Sequence, residues 1–255
     1  LNSLHILFFL FYPNPLLIIV ARVIQGLSVS FFLPPILAYI TTLRFKRFKS
    51  SEVVAYSTTG AALGQFFGPL LAFLILSIDG FQNLFLLALI ISLMGTIGLF
   101  FLPIKLENPK LPVLKEPFIT SLKRTLNKPF IFNLLTRFLI NYTFGTVIAF
   151  LPLMLTLNFK VQDQNVGLLF ALSAFNNFLA RIFSPRLSSR GGERMEALLG
   201  SSLISLSNLI FSFAPNLLTI GLGMIIYGLG FGFFIPASIS ITGKTVPDEH
   251  KALGM

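Results

Sequence analysis

Long apolar runs alternate with short polar connectors along this chain. A helix that crosses the hydrocarbon core of a bilayer needs about 20 consecutive, mostly apolar residues. The runs at roughly 14 to 40, 53 to 77, 81 to 103, 130 to 157, 166 to 184, 197 to 214 and 216 to 240 each have about that length. Leu1 to Phe11 reads as the end of one more span. The pattern predicts an all-α polytopic membrane protein. The sequence opens on Leu and closes on ALGM, where a further span is expected to begin, so it reads as an internal fragment truncated at both ends. The polar residues before the first run carry no basic cluster, and no small-residue cleavage site follows, which argues against a signal peptide.

Composition agrees with the pattern: 55% of the residues are hydrophobic and 11% charged. Charge then adds sidedness. The net charge of +10 is not spread evenly. Sixteen of the 19 basic residues fall in alternate connectors, the groups Arg44 to Lys49, Lys105 to Lys128, Arg181 to Arg194 and Lys244 to Lys251. The opposite set of connectors, around YPNP, SIDGFQN, NFKVQDQN and FAPN, holds only Lys160. An excess of Lys and Arg marks cytoplasmic loops, so the basic connectors are expected inside. A nucleic-acid surface would need its charge on one folded face, and the alternation excludes it. The absence of cysteine removes disulfides and thiolate metal sites.

The connector from Ile104 to Lys128 is the long polar segment, with six basic residues, two glutamates and three prolines. Pro109, Pro112 and Pro117 make its start an extended link, and residues 118–126, FITSLKRTL, could lie as an amphipathic helix on the inner leaflet. The expected organisation is an N-terminal bundle over 1–103, a cytoplasmic linker over 104–128 and a C-terminal bundle over 129–255. An internal echo supports it. Shifted by 202 positions, QGLSVSFFLPP lies over YGLGFGFFIPA, with Gly26 on Gly228, Leu27 on Leu229, Phe31 and Phe32 on Phe233 and Phe234, and Pro34 on Pro236. Both segments would run from outside to inside. Repeats of one orientation imply halves related by an axis along the membrane normal, a transporter architecture.

ARVIQG in one helix, GQFFGP in the next, the basic loop PRLSSRGGER and VPDEHKALGM near the end together resemble the major facilitator superfamily, in its drug and metabolite proton antiporter branch. Order, spacing and sidedness of these motifs carry the resemblance more than any one of them. It covers essentially the whole chain, which would run from the end of helix 3 to the start of helix 11. It implies two pseudo-symmetric helical bundles and a multi-pass protein of the bacterial plasma membrane. It also implies a monomer that moves small amphiphilic or aromatic molecules by alternating access, with proton-coupled efflux. Two departures stand out. Ala72 and Phe73 replace the last two glycines of the family's fifth-helix run, and Ser189 stands where the family's loop after helix 8 carries an acidic residue.

Candidate functional residues follow from cost. Arg22 sits about eight residues into its span, roughly 12 Å deep at 1.5 Å per residue. An arginine at mid-membrane costs about 2.5 to 3.5 kcal/mol on insertion scales, so it is expected to face a polar cavity and a partner. Gln25, three positions on, shares its face. The nine acidic residues all lie in connectors or at helix ends. Arg22 must then meet an anionic substrate, backbone and amide oxygens, or a carboxylate on another helix, which the resemblance places on helix 1. Asn141, Tyr142 and Thr146 cluster on one helix; the resemblance makes these, with Tyr227, substrate contacts, while interhelical hydrogen bonding is the plainer role. Arg137, nearer the basic end of that helix, reads as an anchor for lipid headgroups.

Gly60, Gly64 and Gly68 recur every four residues and form a smooth stripe for a neighbouring helix, and Pro69 bends the helix beyond them. Arg186, Leu187, Arg190, Gly192 and Arg194 form the basic loop motif. His5 and His250 give no membrane-embedded base or metal site. GLGFGFF lacks the lysine of a phosphate loop. The chain is therefore not expected to be an enzyme or to hold a metal or cofactor. Its expected partners are the bilayer, a small-molecule substrate and protons. Uptake of a small metabolite or anion, and a non-transporting sensor on the same scaffold, are the alternatives left open.

Overall fold

The computed structural model describes Ile6 and residues 15–42, 50–77, 80–101 and 126–246. Every regular element among them is a helix: α1 (Pro15–Thr42), α2 (Ser50–Leu76), α3 (Phe81–Phe100), α4 (Lys128–Asn158), α5 (Asp163–Ser212) and α6 (Leu217–Thr245). Lipid offers no hydrogen bonds, so a spanning backbone must satisfy its own, and apolar runs of this length have little other choice. Stretches 54–76, 128–158, 164–212 and 217–245 are long and apolar enough to cross a membrane, while 16–31 and 82–98 are shorter apolar helices among the described residues. The protein is an integral membrane protein. The linker up to Thr125, the connector Leu43 to Lys49 and the end from Pro247 lie outside the described residues.

Local chemistry sets the helix ends. Asn127 caps α4 by accepting from the Phe130 amide at 2.9 Å, ahead of Pro129 in the first turn. Its Nδ2 also donates to the Thr245 carbonyl at 2.8 Å, tying the start of α4 to the end of α6. Asn216 caps α6 in the same way through the Thr219 amide at 3.0 Å.

The sequence predicts two spans, about 166 to 184 and 197 to 214, joined by a polar connector. The structure winds that connector into helix. α5 runs from Asp163 through the basic motif, breaks at Gly192 (φ 76°, ψ 164°) and resumes at once. This is the left-handed side of backbone space, which glycine enters without the Cβ clash other residues suffer. Gly192 is therefore the hinge between a first limb, 163–191, and a second limb, 193–212.

The most extensive contact is that of α6 with α5, followed by α2 with α5. α6 packs on both limbs, and its glycines explain how. A Cβ on Gly228 would lie 2.0 Å from the Ser173 carbonyl oxygen, and one on Gly232 would lie 2.4 Å from the Ala180 Cβ, both on the first limb. A Cβ on Gly230 would lie 2.7 Å from Ile204 on the second limb, and one on Gly200 of that limb would lie 2.6 Å from the Phe234 amide nitrogen. The GLGFG run thus presents small residues alternately to two neighbours, the close backbone packing that membrane helices use in place of a hydrophobic driving force. By contrast, no described atom lies within 4 Å of a Cβ built on Gly60, Gly64 or Gly68. Among the described residues nothing packs against the stripe expected to receive a neighbouring backbone. On this stretch α2 makes its close approach at Pro69 and Phe73, against Gly167 of α5.

The buried core lies in the C-terminal half. Ile140, Val147, Leu151 and Leu155 along one face of α4 meet Ile204, Phe211, Met224, Tyr227, Phe231 and Phe234. Phe231 stacks obliquely on Tyr227 (4.8 Å) and Phe144 (5.4 Å).

Candidate functional site

Arg22 and Gln25 meet as helical spacing predicts: Arg22 Nη1 donates to Gln25 Oε1 at 2.9 Å. The arginine side chain is exposed on α1 and Gln25 half-buried. Together they make a polar patch of one cation and one amide on an otherwise apolar helix. Asn141 and Thr146 are exposed on α4 and bonded within their own helix, Asn141 to the Arg137 carbonyl (2.8 Å) and Thr146 to the Tyr142 carbonyl (3.0 Å). Tyr142 is exposed as well, so the three share an open surface. Tyr227 does not join them. It is buried between Phe211 and Phe231, and its hydroxyl has no hydrogen-bond partner among the described residues.

On the basic side, Arg186, Arg190 and Arg194 are exposed and Leu187 is half-buried, arrayed around the Gly192 hinge. Ser189, at the family's acidic position, donates to the local Arg186 carbonyl (2.8 Å). An acidic residue four positions later, Glu193, pairs instead with Lys244 at the end of α6. Burial raises the Glu193 carboxyl, but the Lys244 hydrogen bond and charge outweigh it and hold the group below its ordinary value. A second limb and α6 are thereby clamped at their basic ends.

Two buried charged groups complete this region. The charge pattern groups Arg181 with the connector residues, yet it is 2% exposed. Its Nε donates to Asn177 Oδ1 at 3.0 Å and its Nη1 to the Thr58 carbonyl of α2; Asn177 Nδ2 donates to Gln65 Oε1 at 3.1 Å. The network ties the first limb of α5 to α2, which lie on opposite sides of the linker in sequence. A signal was there to be read, since Arg181 falls inside the apolar run 166 to 184 as Arg22 falls inside its own. Glu196, just past the hinge in the connector, is 1% exposed. Burial pushes its carboxyl up to about 7, the Ser184 hydrogen bond opposing and the nearby Glu193 charge adding to the rise. Its Oε1 has no hydrogen-bond partner among the described residues. Nothing in the hydrophobic pattern distinguishes Glu196 from a solvated connector residue.

The sequence pattern of the Major Facilitator Superfamily matches residues 3–255, nearly the whole chain. The chain belongs to this superfamily. It is thus a member of a transporter family and not of an enzyme family. It is also similar to a multi-drug resistance efflux pump PmrA homolog of Lactococcus lactis subsp. lactis, with 26% identity over 247 residues. The match takes in 94% of this chain and spans 60% of that relative's length. In this major facilitator chain, no group of three or more potential metal ligands occurs among the described residues.

Proposed function

We propose that this chain supplies the central part of a secondary transporter that exports small amphiphilic or aromatic molecules by alternating access, driven by proton entry. The observation that carries the reading is the Arg22–Gln25 pair. A cation and an amide hydrogen-bonded on one face of an apolar helix suit an anionic or hydrogen-bonding ligand, and membranes retain such groups where they serve a pathway. The efflux-pump relative supports the direction. The open surface of Asn141, Tyr142 and Thr146 is the candidate for further substrate contacts, and a minority of the 30 phenylalanines, most of which face lipid or other helices, supply adaptable apolar lining. Two bundles, 1–103 and 129–255, rock about this level, with the basic connectors and the 104–128 linker in the cytoplasm.

Proteoliposomes of the intact protein test the proposal. Substrate-dependent proton flux is expected for the wild type and is expected to fall at least about tenfold in Arg22→Ala, as fits a lost charged contact worth about 1.4 kcal/mol or more. Ligand binding with no flux in the wild type would overturn it.

A further inference from the structure

We propose that the seam between α2 and the first limb of α5 works like a pair of tongs: it pivots where Gly167 meets Pro69, and Arg181, a positioning residue, latches it shut at the basic end. The proposal rests on the two moving bundles of the reading above. The two helices run antiparallel, and their contacts can be followed from one end to the other. Gly167 lies against the backbone of Pro69 and Phe73, with a built Cβ 3.2 Å from the Pro69 carbonyl oxygen. Phe175 meets Phe66 with ring centroids 5.4 Å apart. Asn177 Nδ2 donates to Gln65 Oε1 at 3.1 Å. Last in the row, Arg181 donates through Nη1 to the Thr58 carbonyl and through Nε to Asn177 Oδ1.

The chemistry of the seam changes along its length. At the Gly167 end it is a close backbone approach and a ring pair, packing that membrane helices lose outright when they part. At the Arg181 end it is a set of hydrogen bonds, which water can take over once that end opens. Arg181 is 2% exposed, and its partners among the described residues are neutral oxygens. A carboxylate in their place would hold the guanidinium in a buried pair that is costly to break; neutral oxygens hold it and still let go. The basic connectors lie close by in sequence, since Thr58 is eight residues into α2 from Ser50 and Arg181 is five residues before the exposed Arg186. The guanidinium fork suits the task, because two of its nitrogens serve both helices at once, where lysine has a single nitrogen. On α2 the acceptor is main chain. The Thr58 hydroxyl is engaged elsewhere, donating to the Val54 (2.9 Å) and Ala55 (3.1 Å) carbonyls of its own helix.

Spin labels read the two ends separately, in the intact protein in lipid nanodiscs and in a background with no other cysteine. Ala61→Cys with Ile182→Cys reports the latch end, and Leu74→Cys with Leu168→Cys the pivot end; all four positions are exposed. The wild type is expected to show mainly the short distance at both. Arg181→Gln is expected to lower the closed-to-open ratio at the latch end at least about tenfold, as fits one lost hydrogen bond to a charged group, and to leave the pivot distance where it was. Arg181→Lys is expected to fall between the two. Gln65→Leu, a milder change at an exposed position, is expected to lower the ratio about threefold, as fits one average interhelical hydrogen bond. Thr58→Ala keeps the carbonyl and is expected to match the wild type. A latch-end ratio that Gln65→Leu and every folded Arg181 variant leave at the wild-type value would overturn the latch, whatever happens to stability, because static packing would then account for the bonds. Both ends parting together, or Thr58→Ala opening as far as Arg181→Gln, would overturn it as well. A latch-end response with no substrate-dependent flux in the wild type would count against the transport reading alone; flux with unresponsive distances would count against the latch alone.

Discussion

Glu196 carries the clearest residue-scale consequence. Its carboxyl is raised from 4.5 to about 7 in the fold, so its contribution to stability is complete below about pH 4.5 and is lost as pH rises through about 7. The thermal midpoint of the wild type in detergent is expected to fall across that window, and that of Glu196→Gln to stay level. Gly228 sits in a different kind of constraint. A methyl group there would lie 2.0 Å from a backbone oxygen that cannot step aside, so Gly228→Ala is expected to cost at least about 1 to 3 kcal/mol. Gly64→Ala, with no described atom within 4 Å of the added methyl, is expected to change stability little. Heating followed by size-exclusion analysis of the surviving fraction separates the two. The sequence contains both glycines in similar surroundings of Leu and Phe. Only the neighbour that packs against each decides which one is replaceable.

At the scale of elements, α4 shows how polar residues fasten a helix whose apolar surface gains little from leaving lipid. Asn133 is buried, and its Nδ2 donates to the Ser238 carbonyl (3.1 Å) and to Thr242 Oγ1 (2.8 Å), while Ser238 Oγ donates back to Asn133 Oδ1 (3.0 Å). Interhelical bonds of this sort average about 0.6 kcal/mol and reach about 1.7. Asn133→Leu is therefore expected to loosen α4 from α6 and lower stability by about 1 to 2 kcal/mol, read as a fall in thermal midpoint and faster proteolysis at the start of α4. The positions of α1, α2, α3, α4 and α6 were legible because an apolar run of membrane length has one available conformation. The continuity of α5 through its basic connector was not. Polar residues are compatible with helix or loop, and the break depends on the single positive φ of Gly192.

For the whole molecule, the charge pattern sets an expectation of orientation. Moving Arg181 from the connectors into the interior removes one cation from the basic set and leaves the asymmetry intact, since Lys160 remains alone on the other side. In intact cells, Lys160→Cys is expected to react with a membrane-impermeant maleimide from outside and Arg190→Cys only after permeabilisation. The reverse result would invert the proposed sidedness.

Apolar run length determined the membrane class and most of the helices by itself, because the bilayer imposes one dimension and one hydrogen-bonding rule on every span. The Arg22–Gln25 contact was equally local, a matter of helical spacing. Pairing across the chain was decided only in three dimensions. Which glycines meet a backbone, which acid takes Lys244, and why Arg181 is buried against the Thr58 carbonyl all depend on helices far apart in sequence being brought within a few ångströms. Periodicity records which face of a helix is polar, and carries no information about what that face will touch.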